Sequence, residues 1–224
     1  MPKGSSNVLR PALVLLGLFL LIGFAGIAFQ SIRTLQRLTI VEADRDEWQR
    51  PSEVIRRLNL KKGSVVVDFG SGAGYFALKL SDAVGDRGKV VAVDIRSFSL
   101  FFLRVRALLQ HKDNIRIIVG DPNDPHLGGA IVDAVLISNT YHELNNPQTI
   151  LRHLSTALRP GGRLVIIDPG PHLADSSSNP EHSTVPEIVE ADLRREGFEI
   201  LSRDDSFIQP AAADSWWLIV AAKP

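Results

Sequence analysis

The 224-residue sequence contains no cysteine, which excludes disulfides, thiolate nucleophiles and zinc sites built on sulfur. Neither sign of charge is in excess: 25 Lys and Arg balance 25 Asp and Glu. No electrostatic footprint for nucleic acid is therefore expected. There is no Asn-x-Ser/Thr acceptor, and no His and carboxylate cluster has the spacing of a metal site. What is present is one long uncharged run, followed by a regular alternation of apolar strands and amphipathic helices. The length suits one domain plus an appendage.

The stretch around which the chain is organised is Val65-Val66-Val67-Asp68-Phe69-Gly70-Ser71-Gly72-Ala73-Gly74-Tyr75-Phe76. The β-branched run predicts a strand buried on both faces. Phe76, Leu80, Ala83 and Val84 then follow the spacing of a one-faced helix, so the glycines fill a strand-to-helix turn. Without a Cβ, such a turn lets a ligand lie against the main chain. The helix N-terminus beyond it favours polar or anionic groups. The spacing is G-x-G-x-G, and the third glycine of the dinucleotide fingerprint would fall on Tyr75. A second strand, Lys89 to Val93, ends in Asp94, twenty residues beyond Gly74. An acid there is placed to accept hydrogen bonds from ribose hydroxyls.

Pro11 to Phe29 is nineteen residues without a charge. As a helix it reaches roughly 28 Å, close to the ~30 Å of a bilayer's hydrocarbon. The run predicts a single transmembrane helix, with residues 1–30 as tail and span, 31–50 as a polar connector and 51–224 as the globular domain. A cleaved secretory signal and a buried core helix are the alternatives; the run is longer than a usual signal core and apolar all round. Arg33, Arg37, Arg45 and Arg50 on the far flank lean towards a cytoplasmic globular part. Trp48, among charges in the connector, either caps a pocket or packs on the domain edge.

From Pro51 the pattern alternates. A short helix with Val54, Ile55 and Leu58 precedes the first strand. A helix over Phe98–Gln110 places Leu100, Leu103, Ala107 and Leu108 on one face. Strands over Ile115–Val119 and Val132–Ser138 end in Gly120-Asp121 and Asn139-Thr140-Tyr141-His142-Glu143. A helix over Pro147–Leu158 leads to a strand from Arg163 to Ile167, ending at Asp168. Such alternation predicts an α/β fold with a parallel sheet covered on both faces, and a ligand site at the strands' carboxyl ends. Residues 170–186 read as a long loop beside that site. His172 and His182 within it are polar loop residues, and His111, His126 and His153 lie on presumed surface. A last helix precedes two strands that form an antiparallel pair at the sheet edge.

Taken together, Val-Val-Asp-Phe-Gly-Ser-Gly-Ala-Gly-Tyr-Phe, Val-Val-Ala-Val-Asp-Ile, Asp133-Ala-Val-Leu-Ile-Ser-Asn-Thr-Tyr-His-Glu and Leu158-Arg-Pro-Gly-Gly-Arg-Leu-Val-Ile-Ile-Asp168 resemble the class I S-adenosylmethionine-dependent methyltransferases. The resemblance covers about Pro51 to Pro224. It implies a Rossmann-like, doubly wound, seven-stranded sheet with the last strand antiparallel, and S-adenosyl-L-methionine as cofactor. It implies that Asp68, Gly70, Gly72 and Gly74 hold the methionine part, Asp94 the ribose, Ile95 the adenine face and Asp121 the adenine amino group. Asn139 is implied at the sulfonium end. Transfer of an activated methyl requires mainly alignment. If a proton must be taken, His142 is the candidate base, with Tyr141 and Glu143 orienting the acceptor. The expected activity is methyl transfer to a small or lipophilic acceptor at a membrane. The competing readings are a membrane-tethered adaptor that binds cofactor without turnover, and a nicotinamide-dependent oxidoreductase, which the glycine spacing disfavours.

Overall fold

The computed structural model describes residues 6–129, 131–170, 184–208 and 215–224. The sequence's 170–186 loop, with His172 and His182, and the Gln209-Pro210 junction lie largely or wholly outside these residues. The chain divides into two compact units, Met1–Arg45 and Asp46–Pro224. The described residues of the first belong to helix α1 (Ser6–Trp48), whose last residues fall in the second. The stretch of α1 from Gly17 onward has mean hydropathy 1.7 in its most apolar window, and none of that window is buried. One long apolar N-terminal helix is thus a candidate membrane span.

The second unit is a seven-stranded sheet in the order β3-β2-β1-β4-β5-β7-β6. Its strands are β1 (Val65–Phe69), β2 (Lys89–Asp94), β3 (Ile115–Val119), β4 (Val132–Ser138), β5 (Leu158–Pro169), β6 (Glu199–Ile208) and β7 (Trp216–Ala222). The first five are mutually parallel where they pair, and β7 runs antiparallel between β5 and β6. The two last strands do form an antiparallel pair, but only β6 is an edge; β7 is interior. Its core Trp217-Leu218-Ile219-Val220-Ala221 is fully buried, as a strand flanked on both sides requires.

The helices split between the two faces. On one, α2 (Pro51–Arg57), α3 (Tyr75–Val84) and α4 (Ser97–Leu109) contribute Val54, Phe76, Leu80, Leu100 and Leu103 to a buried cluster. On the other, α5 (Pro147–Ala157) and α6 (Pro186–Arg195) contribute Ile150, Leu151, Leu154, Val189 and Leu193. In α4 the sequence pattern errs at one position. Leu100, Leu103 and Ala107 are buried, but Leu108 is exposed. Arg106 goes inside instead, where its Nη1 donates to Ala73 O at 2.7 Å. Strand β5 also begins earlier than Arg163, because Leu158 already pairs with Val132 before a register shift. Lys223 Nζ reaches back to Leu158 O and Ser155 O, at 2.8 and 2.7 Å, placing a cation at the C-terminal end of α5.

Candidate active site

The sheet order reverses between β1 and β4, both parallel to each other and adjacent. In open α/β sheets that reversal opens a crevice at the strands' carboxyl ends. The loop after β1 is the glycine turn, and the tip of β2 pins it. Gly70 N and Ser71 N both donate to Val93 O, at 2.8 and 3.0 Å. Gly72 N donates to Asp94 Oδ2 at 2.8 Å, and Arg96 N to Asp94 Oδ1 at 2.8 Å. The loop's own N–H groups are therefore largely engaged. Helix α3 starts directly after the loop and carries no side-chain cap.

The three glycines do different work. A Cβ on Gly70 would collide with the Thr140 side chain, and one on Gly74 with Leu103 of α4. These two are demanded by packing. Gly72 has φ +52°, and a Cβ there would meet nothing within 4 Å. It borders open space, which is the cradle a ligand's approach to the main chain would need. Ser71 Oγ beside it is buried without a hydrogen-bond partner among the described residues.

A cavity of about 110 Å³ opens beside this loop, several times what one water needs. Gly70, Asp94, Ile95 and Asp121 all line it. So do Thr140 and Glu143 from the strand-tip stretch Asn139–Glu143, and Phe69 and Arg96, to which no sequence pattern assigned a role. Arg96 lies 3.5 Å from Asp94 and 3.9 Å from Glu143. The apolar Ile95 and the carboxylates of Asp94 and Asp121 thus line one cavity, a combination suited to a nucleoside. The His126 ring sits 3.0 Å from Asp121 Oδ2, a neighbour no sequence pattern indicated.

The other candidates lie off this cavity. Asp68 is buried within β1, and Gly74 begins α3. Asn139 is exposed at the tip of β4 with φ +52°, its N–H bonded to Ile167 O at 2.9 Å. Tyr141 packs inward. Its ring is core, and its hydroxyl donates to Asp192 Oδ2 at 3.1 Å. Burial, with Asp192 beside it, pushes the phenol far above its ordinary range, so it exchanges no proton near neutrality.

His142 is held by Asp168, which is fully buried at the end of β5. Asp168 Oδ2 accepts from His142 N and faces His142 Nδ1, both at 2.9 Å; Oδ1 accepts from Thr140 N at 2.9 Å. The hydrogen bond to Asp168 raises the imidazole's pKa above its usual value, against the opposing effect of burial. Burial raises Asp168 as well, opposed chiefly by its bond to His142. Both shifts have the folded state holding protons longer than the unfolded chain. Stability from the raised imidazole is thus full below the free imidazole's pKa, about 6.5, and is lost as pH rises through its folded value, while that from the raised Asp168 carboxyl begins to be lost at lower pH, above the free carboxyl's pKa. Urea denaturation across that range should show wild-type stability falling with pH, and His142→Gln should flatten the slope.

Gln49 and Trp48, from the end of α1, also belong to this end of the sheet. Gln49 is fully buried, its Nε2 3.4 Å from Ser138 Oγ at the tip of β4. Trp48 packs on Trp216 with ring centroids 5.5 Å apart, so it takes the domain-edge role rather than capping a pocket.

Residues 60–205 match the model of a family described as "Methyltransferase domain". The chain belongs to this methyltransferase-domain family. Among curated relatives, it is 30% identical over 123 residues to the ubiquinone/menaquinone biosynthesis C-methyltransferase UbiE of Hahella chejuensis, covering 54% of this chain and 48% of that one. It is 31% identical over 111 residues to protein-L-isoaspartate O-methyltransferase 2 of Archaeoglobus fulgidus, covering 49% and 47%. The chain thus spans about half the length of these curated relatives. Among solved structures, a SAM-dependent methyltransferase from Aquifex aeolicus aligns with TM-score 0.68 and 26% identity, over 76% of this chain and 88% of that one. Family and fold together imply S-adenosylmethionine as the cofactor. The two relatives' names specify a carbon and an oxygen acceptor, so family membership alone sets no acceptor atom.

Asp94→Ala should weaken S-adenosylmethionine binding by about 1–3 kcal/mol, roughly 5- to 150-fold in Kd. Two effects add: a charged acceptor is lost, and Gly72 N is released. Isothermal calorimetry checks it, and unchanged affinity would remove Asp94 from the site.

Proposed function

We propose that this protein is an S-adenosylmethionine-dependent methyltransferase acting on a small, lipophilic acceptor at a membrane. The carrying observation is the cradle at the switch point, where Gly72 leaves open space beside a buried Asp94 on the neighbouring strand. In this reading Asp94 accepts from the ribose hydroxyls, and Ile95 and Asp121 take the adenine face and its amino group. Asp68, the glycine loop and the first turn of α3 receive the methionine part, with Asn139 at its sulfonium end. The cofactor supplies a methyl group already activated on a positive sulfur. The protein's task is then to align acceptor, methyl and sulfur, which can supply ~7–11 kcal/mol of the barrier.

A hydroxyl or carbon acid must also lose a proton. In this reading His142 takes it. With Nδ1–H donated to buried Asp168, Nε2 becomes the basic nitrogen, and the carboxylate stabilises the imidazolium that forms. Support for a lipophilic acceptor comes from the apolar helix α1 and from the relative named for ubiquinone and menaquinone biosynthesis. In this reading Pro11–Phe29 is a single-pass anchor, and the basic flank Arg33, Arg37, Arg45 and Arg50 sets the catalytic unit on the cytoplasmic side.

The test is incubation of the full chain with methyl-labelled cofactor and a membrane extract, followed by partition and identification of the label. Label in a lipid-soluble product supports the reading. Label confined to water-soluble products removes the lipophilic acceptor. Calorimetric binding of the cofactor with no label transferred to any fraction would favour the non-catalytic adaptor.

A further inference from the structure

The outer face of α4 is unusually apolar for a surface helix. Phe98, Phe101, Leu108 and Leu109 are 73%, 52%, 73% and 66% exposed, and Ile95 just before the helix is 56% exposed. At 100° per residue, the four helical side chains fall within about one 100° sector, with exposed Arg104 on its flank. Contiguous apolar faces of this kind mark interaction sites. The opposite face of the same helix is core, so α4 is rigidly mounted and cannot turn its phenylalanines inward.

We infer that this face of α4 docks on the surface of a lipid bilayer. Three observations select lipid as the occupant. The face combines aromatic and leucine side chains with an arginine at its border, the composition of a surface that sinks into the headgroup boundary while its cation stays in water. The same chain carries a second large apolar surface, the uncovered run of α1. Residues 30–45, sixteen in all, join that run to the globular unit. Even fully extended they reach only about 60 Å, so the α4 face is held at high effective concentration near any membrane the run enters.

The functional consequence comes through Ile95. It is exposed two residues before α4 begins and also lines the cavity beside the glycine loop. Docking on α4 sets the nucleoside end of that cavity against the lipid interface and keeps the catalytic unit at the phase in which a lipophilic acceptor is concentrated. The inference rests on the anchored reading above and adds to it the surface by which the catalytic unit meets the membrane.

The absence of cysteine makes the test clean, because one introduced thiol carries one label. Full-length Phe101→Cys, Leu108→Cys and, as a control on α5, His153→Cys are labelled with an environment-sensitive fluorophore. Each is reconstituted into vesicles of phosphatidylcholine and phosphatidylglycerol. All three positions are exposed, so the fold tolerates them. Nitroxide-bearing lipids should quench the labels at 101 and 108 at least about threefold more than the label at 153. Vesicle flotation reports the anchor separately. Chains that float while the 101 and 108 labels answer only to aqueous iodide leave the anchor standing and overturn the docking. Labels shielded from both quenchers mean that a second copy or another protein segment covers the face, and also overturn it. Chains that do not float overturn the anchored reading and the docking together.

Discussion

Gly72→Val should yield a folded protein that no longer binds S-adenosylmethionine. The fold survives because a Cβ at this position meets no atom within 4 Å. The remaining penalty is a β-branched residue held at φ +52°, about 1–3 kcal/mol, against a typical stability of 5–15 kcal/mol. Binding does not survive, because the valine methyl groups occupy the space through which a ligand would approach the loop. The affinity should fall more than about a hundredfold, or 2.7 kcal/mol, leaving no calorimetric signal at working concentrations. Gly70→Ala supplies the contrast. Its Cβ would strike Thr140, so its principal effect is on thermal stability rather than on ligand alone. Retained binding in Gly72→Val would mean that the ligand does not approach that main chain.

The second large effect is on folding. Asp168→Ala should cost about 3–5 kcal/mol, the range for breaking a buried charged pair by removing one partner. The carboxylate is fully buried and serves three donors: Thr140 N, His142 N and the His142 ring. Alanine leaves the two backbone donors unsatisfied, in a loop whose Thr140 also packs on Gly70. Urea denaturation measures the loss. Asp168→Asn, which keeps one acceptor oxygen, should recover part of the stability but not the raised imidazole pKa. A change below about 1 kcal/mol in the alanine variant would show that water replaces the carboxylate without penalty.

What the sequence disclosed follows from which signals are local. The β-branched runs at Val65–Val67 and Val90–Val91 announced buried strands, and the glycine turn plus Asp94 announced the crevice, because each is encoded within a few residues. The misreadings concern partners distant in the chain. Leu108 matches the apolar spacing of α4 as well as Leu103 does, yet only the tertiary neighbours decide that Arg106 is buried against Ala73 and Leu108 is not. Tyr141 has the chemistry of a site residue, but Asp192, fifty-one residues away, gives it a packing role. Arg96 and Thr140 lie next to recognised motif residues, Thr140 within the strand-tip stretch Asn139–Glu143 that the sequence already places at the site, but neither carries a role of its own there. An arginine two residues after Asp94 was the available signal for the first; the second is marked only by its contact with Gly70. Gln49 carries no local signal at all, since its significance depends on Ser138, eighty-nine residues away.

The seam between α1 and the catalytic unit decides where this polypeptide can be shortened. A chain trimmed to begin at Pro51 forfeits the Asp46 bonds to Tyr75 and Lys79, the Gln49 contact with Ser138 and the Arg50 bond to Phe207 O. It also bares the face of Trp216 that Trp48 covers. Trimming upstream of Asp46 keeps all of these while discarding the apolar run, so a shortened chain that keeps its fold should begin within α1 and not at the proline that follows it.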